Sequence, residues 1–172
     1  MLRLLDIGTV TSRLFIADVN ESGVCRFAEK GITNLAKALM HRDVCPTRPC
    51  AYGWQVARYK EVVDEYAPVD SLVALATSAS RDAENSDEFV GRLRDVGVEL
   101  SVIPGSREAE LSFLGASNDF RGEDILFADI GGGSTELAFG RACGSAESVV
   151  PEIELHASRS FDIGCRRMTE RF

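Results

Sequence analysis

Short apolar runs and helical spacings alternate along the first half of the chain. Apolar runs bounded by turn residues predict five strands, at residues 2–8, 13–19, 24–31, 71–77 and 98–103. Apolar positions at helical spacing predict three helices, at residues 52–66, 85–96 and 106–117. The resulting order, βββαβαβα, predicts helices packed over a mixed sheet.

The second half begins the same plan again. After the polar stretch 118–124, a strand hairpin is predicted, followed by a third strand near 150–162 and a helix at 165–172. We therefore expect a first domain at 1–122 and the first strands of a second domain at 123–172. Only 43 residues follow Asp129, so the second domain is expected to be incomplete.

One motif occurs in both halves. Asp6–Leu14, with the sequence DIGTVTSRL, returns as Asp129–Leu137, DIGGGSTEL, at a constant offset of 123 residues. Each copy predicts a strand, a tight turn and a second strand, with an acid at the mouth of the hairpin. Backbone N–H groups of a Gly-rich turn suit phosphate oxygens, and a strand-end Asp suits Mg²⁺. Two such hairpins facing each other would grip an anionic phosphate chain.

The charge and the amino-acid composition of the chain limit the kinds of molecule that it is expected to bind. The net charge of −8 argues against a general nucleic-acid or membrane-surface binder, and no apolar run approaches the ~20 residues of a membrane span. The N-terminal residues lack the layout of a signal peptide. The five cysteines contain no Cys-x-x-Cys pair, which predicts reduced thiols in a cytoplasmic protein and no zinc site.

The sequence resembles the exopolyphosphatase and guanosine pentaphosphate phosphohydrolase family, within the actin-like superfamily of sugar kinases and Hsp70. The most specific of the matching segments is Gly-Gly-Gly-Ser-Thr-Glu. The segments are 6–14, 76–83, 103–111, 127–140 and 160–172.

The resemblance implies a fold, an activity and a cofactor. The fold is an α/β, ribonuclease H-like (actin-like) mixed sheet with flanking helices, its first domain complete and its second truncated. The activity is Mg²⁺-assisted hydrolysis of a terminal phosphoanhydride of inorganic polyphosphate or guanosine pentaphosphate. Separately from the resemblance, exposed apolar surface on an unfinished second sheet predicts self-association, and hence a homo-oligomer formed through the incomplete second domain.

Three carboxylates are the predicted metal ligands: Asp129, which is also predicted to be catalytic, Asp6, and Glu136, whose role the resemblance implies. Asp129 could instead cap its own turn, and Glu136 could be an exposed strand residue. The resemblance makes Glu108 the candidate general base; it is predicted in the first turn of a helix, where the dipole stabilises an anion. The alternative for Glu108 is an ordinary acid complementing the helix dipole.

Hydroxyl groups, glycines and arginines are the predicted substrate-binding residues. Arg81 follows a buried strand at its carboxyl end, where α/β sheets place ligands. It could instead pair with Asp82 or Glu84, and Arg13 could point into solvent. The set is Thr9, Thr11, Arg13, Arg81, Gly131, Gly132, Gly133, Ser134 and Thr135.

Departures from the family pattern leave other functions open. The family usually has Ser-Asn-Ser where this chain has Thr9-Val10-Thr11, and Arg107 and Glu110 exchange the charges expected beside Glu108. The alternatives to an enzyme are a phosphate- or polyphosphate-binding module without turnover, and a fragment that needs the missing half of its second domain. An actin-like kinase is less favoured, because no adenosine-binding segment is visible.

Overall fold

The computed structural model of the protein describes residues 2–17, 25–35, 51–65, 71–144 and 151–171. The chain divides into two compact units, Met1–Val102 and Ile103–Phe172. Each unit is built around its own sheet.

A five-stranded mixed sheet forms the first unit. Its strands are β1 (Leu2–Ile7), β2 (Thr11–Ala17), β3 (Cys25–Ile32), β4 (Ser71–Ala76) and β5 (Leu100–Val102). They lie in the order β3-β2-β1-β4-β5; the first three pair antiparallel, while β1, β4 and β5 run parallel.

Three described helices accompany this sheet: α1 (Ala51–Glu65), α2 (Ser78–Asp82) and α3 (Ser86–Asp95). On α1, the Tyr59 hydroxyl donates to Ser12 O at 2.9 Å and so ties the helix to β2. The apolar face of the sheet packs against buried helix residues. This core includes Leu5, Ile7, Leu14, Ile16, Tyr59, Ala74, Ala76, Phe89, Leu93 and Leu100.

A helix and an antiparallel three-stranded sheet, ordered β6-β7-β8, form the second unit. Phe113 of the helix packs edge-on against Phe127 of the sheet, with ring centroids 6.5 Å apart. The elements are α4 (Gly105–Ser117), a 3₁₀ turn (Asn118–Phe120), β6 (Asp124–Ile130), β7 (Thr135–Cys143), β8 (Glu152–Phe161) and α5 (Cys165–Arg171).

The two faces of the second sheet differ in burial. Alternate residues of β7 from Glu136 to Ala142 are buried, and those of β6 from Ile125 to Asp129 are partly buried. The intervening β6 residues Leu126 and Ile130 are 75% and 69% exposed. A register shift between Phe139 and Gly140 bends β7 against β8.

Sequence and structure agree on the fold class, and the predicted mixed sheet with flanking helices is confirmed. Two of the described elements were not predicted: the short helix α2, between β4 and α3, and the 3₁₀ turn Asn118–Phe120. The expected domain division at 122/123 stays a prediction; by compactness the division falls at 102/103, because α4 packs on the second sheet. Within the described residues, every helix is too short or too polar to cross a membrane.

Candidate active site

The two copies of the repeated motif fold into the same turn. Gly8 N donates to Thr11 O at 2.9 Å, and at the equivalent position Gly131 N donates to Ser134 O at 2.9 Å. A Cβ at Gly8 or at Gly131 would lie only 3.0 or 3.1 Å from the acceptor oxygen of its turn. Both predicted hairpins are confirmed, and a side chain at either glycine would crowd the oxygen that closes its turn.

The two hairpins differ in the residue that lies opposite the aspartate at the end of the first strand. Asp6 lies opposite Arg13, whose guanidinium is 3.7 Å from its carboxylate. Asp129 lies opposite Glu136 in the same register of the second hairpin. Directly opposed residues of an antiparallel pair share a face, so two carboxylates stand side by side there. Like charges in this arrangement repel unless a cation lies near them.

The Glu136 side chain is only 1% exposed, so the alternative of an exposed strand residue is wrong. Its carboxylate accepts a hydrogen bond from Ser160 Oγ at 2.7 Å, across the β7–β8 pair. Burying a carboxylate costs free energy unless polar partners or a cation compensate for lost water. Within the described residues, the Ser160 hydroxyl is the hydrogen-bond partner found for the Glu136 carboxylate. A bound cation would supply the further compensation for its burial.

A serine of α4 holds the second carboxylate. Ser112 Oγ donates to Asp129 Oδ2 at 3.2 Å. Glu108 lies one helical turn before Ser112, and residues four apart share a helix face about 6 Å apart along the axis. The structure therefore places the candidate base and Asp129 on the same side of the second unit. Glu108 also lies in the first turn of α4, as predicted.

The donor set suits magnesium. No cluster of three or more metal-ligating side chains is found in the described part of the chain. Mg²⁺ is usually held by one or two carboxylates, with water and phosphate oxygens completing its shell. Asp129 and Glu136 are paired in register and so offer two carboxylates on one face, and their role as metal ligands stays a prediction. Asp6, the third predicted ligand, belongs to the other unit, where it is ion-paired with Arg13.

Helix α5 binds the Gly-rich turn from one side. The carbonyl groups of three successive turn residues accept hydrogen bonds from its first residues. The donors are Cys165 N to Gly131 O at 2.9 Å, Arg166 N and Arg167 N to Gly132 O at 2.9 and 3.1 Å, and Arg167 Nε to Gly133 O at 2.7 Å.

The remaining residues predicted in this turn have different environments. Ser134 is 2% exposed. The Thr135 hydroxyl donates to Ile163 O at 2.5 Å, which commits it to the segment before α5. Its predicted hydrogen bond to substrate would thus compete with its hydrogen bond to Ile163 O.

The other predicted substrate-binding residues lie in the first unit. Thr9 is buried, Thr11 begins β2, and Arg13 is exposed and ion-paired with Asp6. Arg81 lies on α2, directly after the carboxyl end of β4. Their contacts with substrate stay predictions, as does the grip of both hairpins on one phosphate chain.

Four residues were missed in the analysis of the sequence: Ser112, Ser160, Gly164 and Arg167. Ser112 could have been found from its spacing of four residues after Glu108. Ser160 depends on the register of β8, which no local pattern fixes. Gly164 and Arg167 depend on how α5 meets the turn.

The family model for "Ppx/GppA phosphatase family" matches residues 16–172 of the chain. Exopolyphosphatase 2 of Mycobacterium tuberculosis is 34% identical over 97% of this chain and 53% of its own length. The guanosine-5'-triphosphate,3'-diphosphate pyrophosphatase of Photobacterium profundum is 27% identical over 98% of this chain and 32% of its own.

The solved structures agree with the sequence relatives. A crystal structure of an exopolyphosphatase from Cytophaga hutchinsonii superposes with a TM-score of 0.76 at 28% identity, covering 99% of this chain and 53% of that one. The chain thus spans about half the length of the exopolyphosphatases that it matches. Sequence and fold together make it a member of the Ppx/GppA phosphatase family, with the actin-like fold of that family.

Proposed function

We propose that the chain carries the Mg²⁺-dependent catalytic residues of a phosphoanhydride hydrolase acting on the terminal phosphate of inorganic polyphosphate or guanosine pentaphosphate. The names of its relatives include both an exopolyphosphatase and a guanosine pentaphosphate pyrophosphatase. The activity of the whole protein is part of the proposal, because the chain spans only part of these relatives.

The paired carboxylates of the second hairpin carry this proposal. Asp129 and Glu136 oppose each other on one face, and each accepts a hydrogen bond from a serine. These two bonds orient both carboxylates while engaging one oxygen of each. An oriented, like-charged pair is costly for a purely structural role and suits a divalent cation.

Magnesium bound by these carboxylates would neutralise charge on the phosphate oxygens and orient the terminal phosphoryl group. Glu108 accepts a proton from the attacking water, and the N-terminal end of α4 stabilises its anionic form before the reaction. The Gly-rich turn binds phosphate oxygens through its free backbone N–H groups. The chain thus supplies a base, a metal site and an anion-binding turn within one unit.

Phosphate release from polyphosphate in the presence of Mg²⁺ tests the assignment of the base. Glu108→Gln keeps the size of the side chain and removes its basicity, so we expect a rate loss of about 10²–10⁴-fold. Glu110→Gln is the matched control, because Glu110 lies on the same helix and its carboxylate is ion-paired with Arg107 at 2.7 Å. An unchanged rate in Glu108→Gln would remove Glu108 from the mechanism.

Binding measured separately from turnover distinguishes the enzyme from the binding module. Titration calorimetry with Mg²⁺ and polyphosphate should show saturable binding that Asp129→Asn abolishes. Saturable binding with no phosphate release would favour the binding module. Absence of both would contradict the proposed function of this chain.

A further inference from the structure

We infer that α5 sets the conformation of the phosphate-binding turn, with Gly164 and Arg167 as its positioning residues. The inference rests on the proposed function, because it assigns the turn a phosphate to bind. It adds that the direction of the turn's N–H groups is imposed from outside the hairpin.

Peptide geometry connects the helix to the turn's N–H groups. In a planar trans peptide, the C=O of one residue and the N–H of the next point in opposite directions. The carbonyl groups of Gly131, Gly132 and Gly133 all accept hydrogen bonds from the first residues of α5. The N–H groups of Gly132, Gly133 and Ser134 therefore point away from α5. Three successive N–H groups on one side form a concave anion site.

These three N–H groups remain available for a ligand. Gly131 N is used within the turn, where it donates to Ser134 O. For the next three N–H groups, the described residues offer no backbone acceptor. Ser134 is 2% exposed, so its N–H lies where an unsatisfied donor is costly. A phosphate oxygen would satisfy it.

Gly164 permits this contact because it has no side chain. A Cβ at Gly164 would lie 2.5 Å from the carbonyl carbon and oxygen of Gly132 and 2.5 Å from the carbonyl carbon of Gly133. These are backbone atoms, so the turn itself would have to move. Gly164 also accepts a hydrogen bond from Met168 N, which fixes the start of α5 beside the turn.

Arg167 adds a side-chain bond where the helix backbone no longer reaches. Its Nε donates to Gly133 O at 2.7 Å, at the end of the turn nearest Ser134. The first unit holds its own turn more simply, through Thr33 N and Asn34 N, both 2.9 Å from Val10 O. The hairpin with the paired carboxylates is thus also the one whose turn receives the additional hydrogen bonds from α5.

The test combines Gly164→Ala and Arg167→Gln with Arg167→Lys as the conservative variant. Arg171→Gln is the control, because Arg171 is exposed in the last turn of the same helix. The probe is inorganic tripolyphosphate with Mg²⁺, titrated by calorimetry, and KM and kcat are measured on polyphosphate. Thermal melting reports whether each variant is folded, and amide hydrogen exchange reports whether residues 165–167 stay bonded to the turn.

We expect tripolyphosphate affinity to fall between about tenfold and a hundredfold in Gly164→Ala and Arg167→Gln, because a displacement of about 1 Å has effects of this size. Arg167→Lys should recover part of the loss, and Arg171→Gln should match the wild type. KM should rise more than kcat falls. Amide protection at 165–167 should decrease in Gly164→Ala even without ligand.

Two results would overturn the inference. The first is wild-type affinity in folded Gly164→Ala and Arg167→Gln; the second is rapid amide exchange at residues 165–167 in the wild type. A wild-type protein that binds no tripolyphosphate would instead contradict the proposed function. The exchange measurement still decides whether α5 fixes the turn in that case.

Discussion

Ser160 Oγ lies 2.7 Å from Glu136 Oε1, and this bond spans the β7–β8 pair at the most buried acidic side chain of the described residues. A hydroxyl is a neutral donor, so this bond fixes the orientation of the carboxylate without forming an ion pair with it. Ser112 does the same for Asp129 from α4. The metal site proposed here therefore depends on two serines contributed by different elements.

Loss of the Ser160 hydroxyl should weaken metal binding. We expect Ser160→Ala to lower Mg²⁺ affinity by about tenfold or more, in the range typical of residues that orient metal ligands. Titration calorimetry, or electron paramagnetic resonance with Mn²⁺ as the probe, measures this. Ser158→Ala is the matched control, because Ser158 is exposed on the same strand opposite Ala138. Equal affinities of the two variants would contradict a role for Ser160 in orienting Glu136.

Replacing Arg3 should stabilise the protein. Arg3 is 4% exposed, and its Nε and Nη2 atoms have no hydrogen-bond partner within the described residues. Burial lowers the pKa of Arg3 from its usual value, while the charge of Asp64 opposes this shift. Since a buried guanidinium with unsatisfied donors is costly even when an opposite charge acts on it, Arg3→Met should raise the free energy of unfolding by about 1 kcal/mol.

Urea unfolding at neutral pH measures the effect of Arg3→Met. Arg94→Met is the control, because Arg94 is exposed and ion-paired with Glu99 at 3.3 Å. The control should lose a small amount of stability or none. A lower free energy of unfolding in Arg3→Met would show that the guanidinium is satisfied in solution.

Acid should remove the contribution of one surface ion pair. The hydrogen bonds from Arg141 to Asp124, at 2.8 and 2.7 Å, lower the pKa of that carboxyl below its usual 3.8. A depressed carboxyl pKa stabilises the folded state above the unfolded value, and the effect is lost as pH falls through the folded value. His156 and Glu154 lie beside the pair, with His156 nitrogens 3.9 Å from both acids.

Thermal melting of Asp124→Asn across pH checks this ion pair. The variant should melt slightly below the wild type at neutral pH, and the difference should vanish as the pH falls well below 3.8. Only a small difference is expected, because the pair is exposed. Asp119→Asn, a change at an exposed acid of the 3₁₀ turn, controls for the loss of a charge. A difference that persists in strong acid would assign the effect to something other than ionisation.

The exposed side of the second sheet should promote self-association. Leu126 and Ile130 are 75% and 69% exposed on the same face of an outer strand of the described sheet. Polar replacements, Leu126→Ser with Ile130→Ser, should reduce concentration-dependent association in sedimentation velocity. Phe120→Ser is the control, because Phe120 is 49% exposed but lies in the 3₁₀ turn. A wild-type monomer at all concentrations would contradict the expected homo-oligomer.

Local sequence was sufficient to predict the hairpins. In each copy of the motif, the strand ends, the glycine and the hydroxyl residues lie within nine consecutive positions. The hydrogen bond from Gly131 to Ser134 that closes the second turn forms within those nine positions. The position of Glu108 in the first turn of α4 was likewise readable from the preceding Pro104-Gly105. Each of these features depends on residues near one another in the chain.

Long-range register explains what the sequence left open. Ser160 reaches Glu136 only because β8 pairs with β7 in one of several registers that its pattern permits. The apolar positions of α4 show which of its faces is buried, but not which sheet that face packs against. The unit to which α4 belongs therefore depends on tertiary packing. Helix α2 was missed because five residues are too few for a helical period to be visible.

Gly140 shows how a position remote from the chemistry can govern it. The register shift of β7 lies here, and a Cβ would overlap Glu154 O and lie 3.1 Å from Leu155 Cα. Any side chain would force the strands apart, and a slip of one residue would bring Arg159 or Phe161 opposite Glu136 in place of Ser160. In a saturation mutagenesis survey scored by phosphate release, Gly140 would thus be as intolerant as a ligand, although it offers no functional group to substrate or metal.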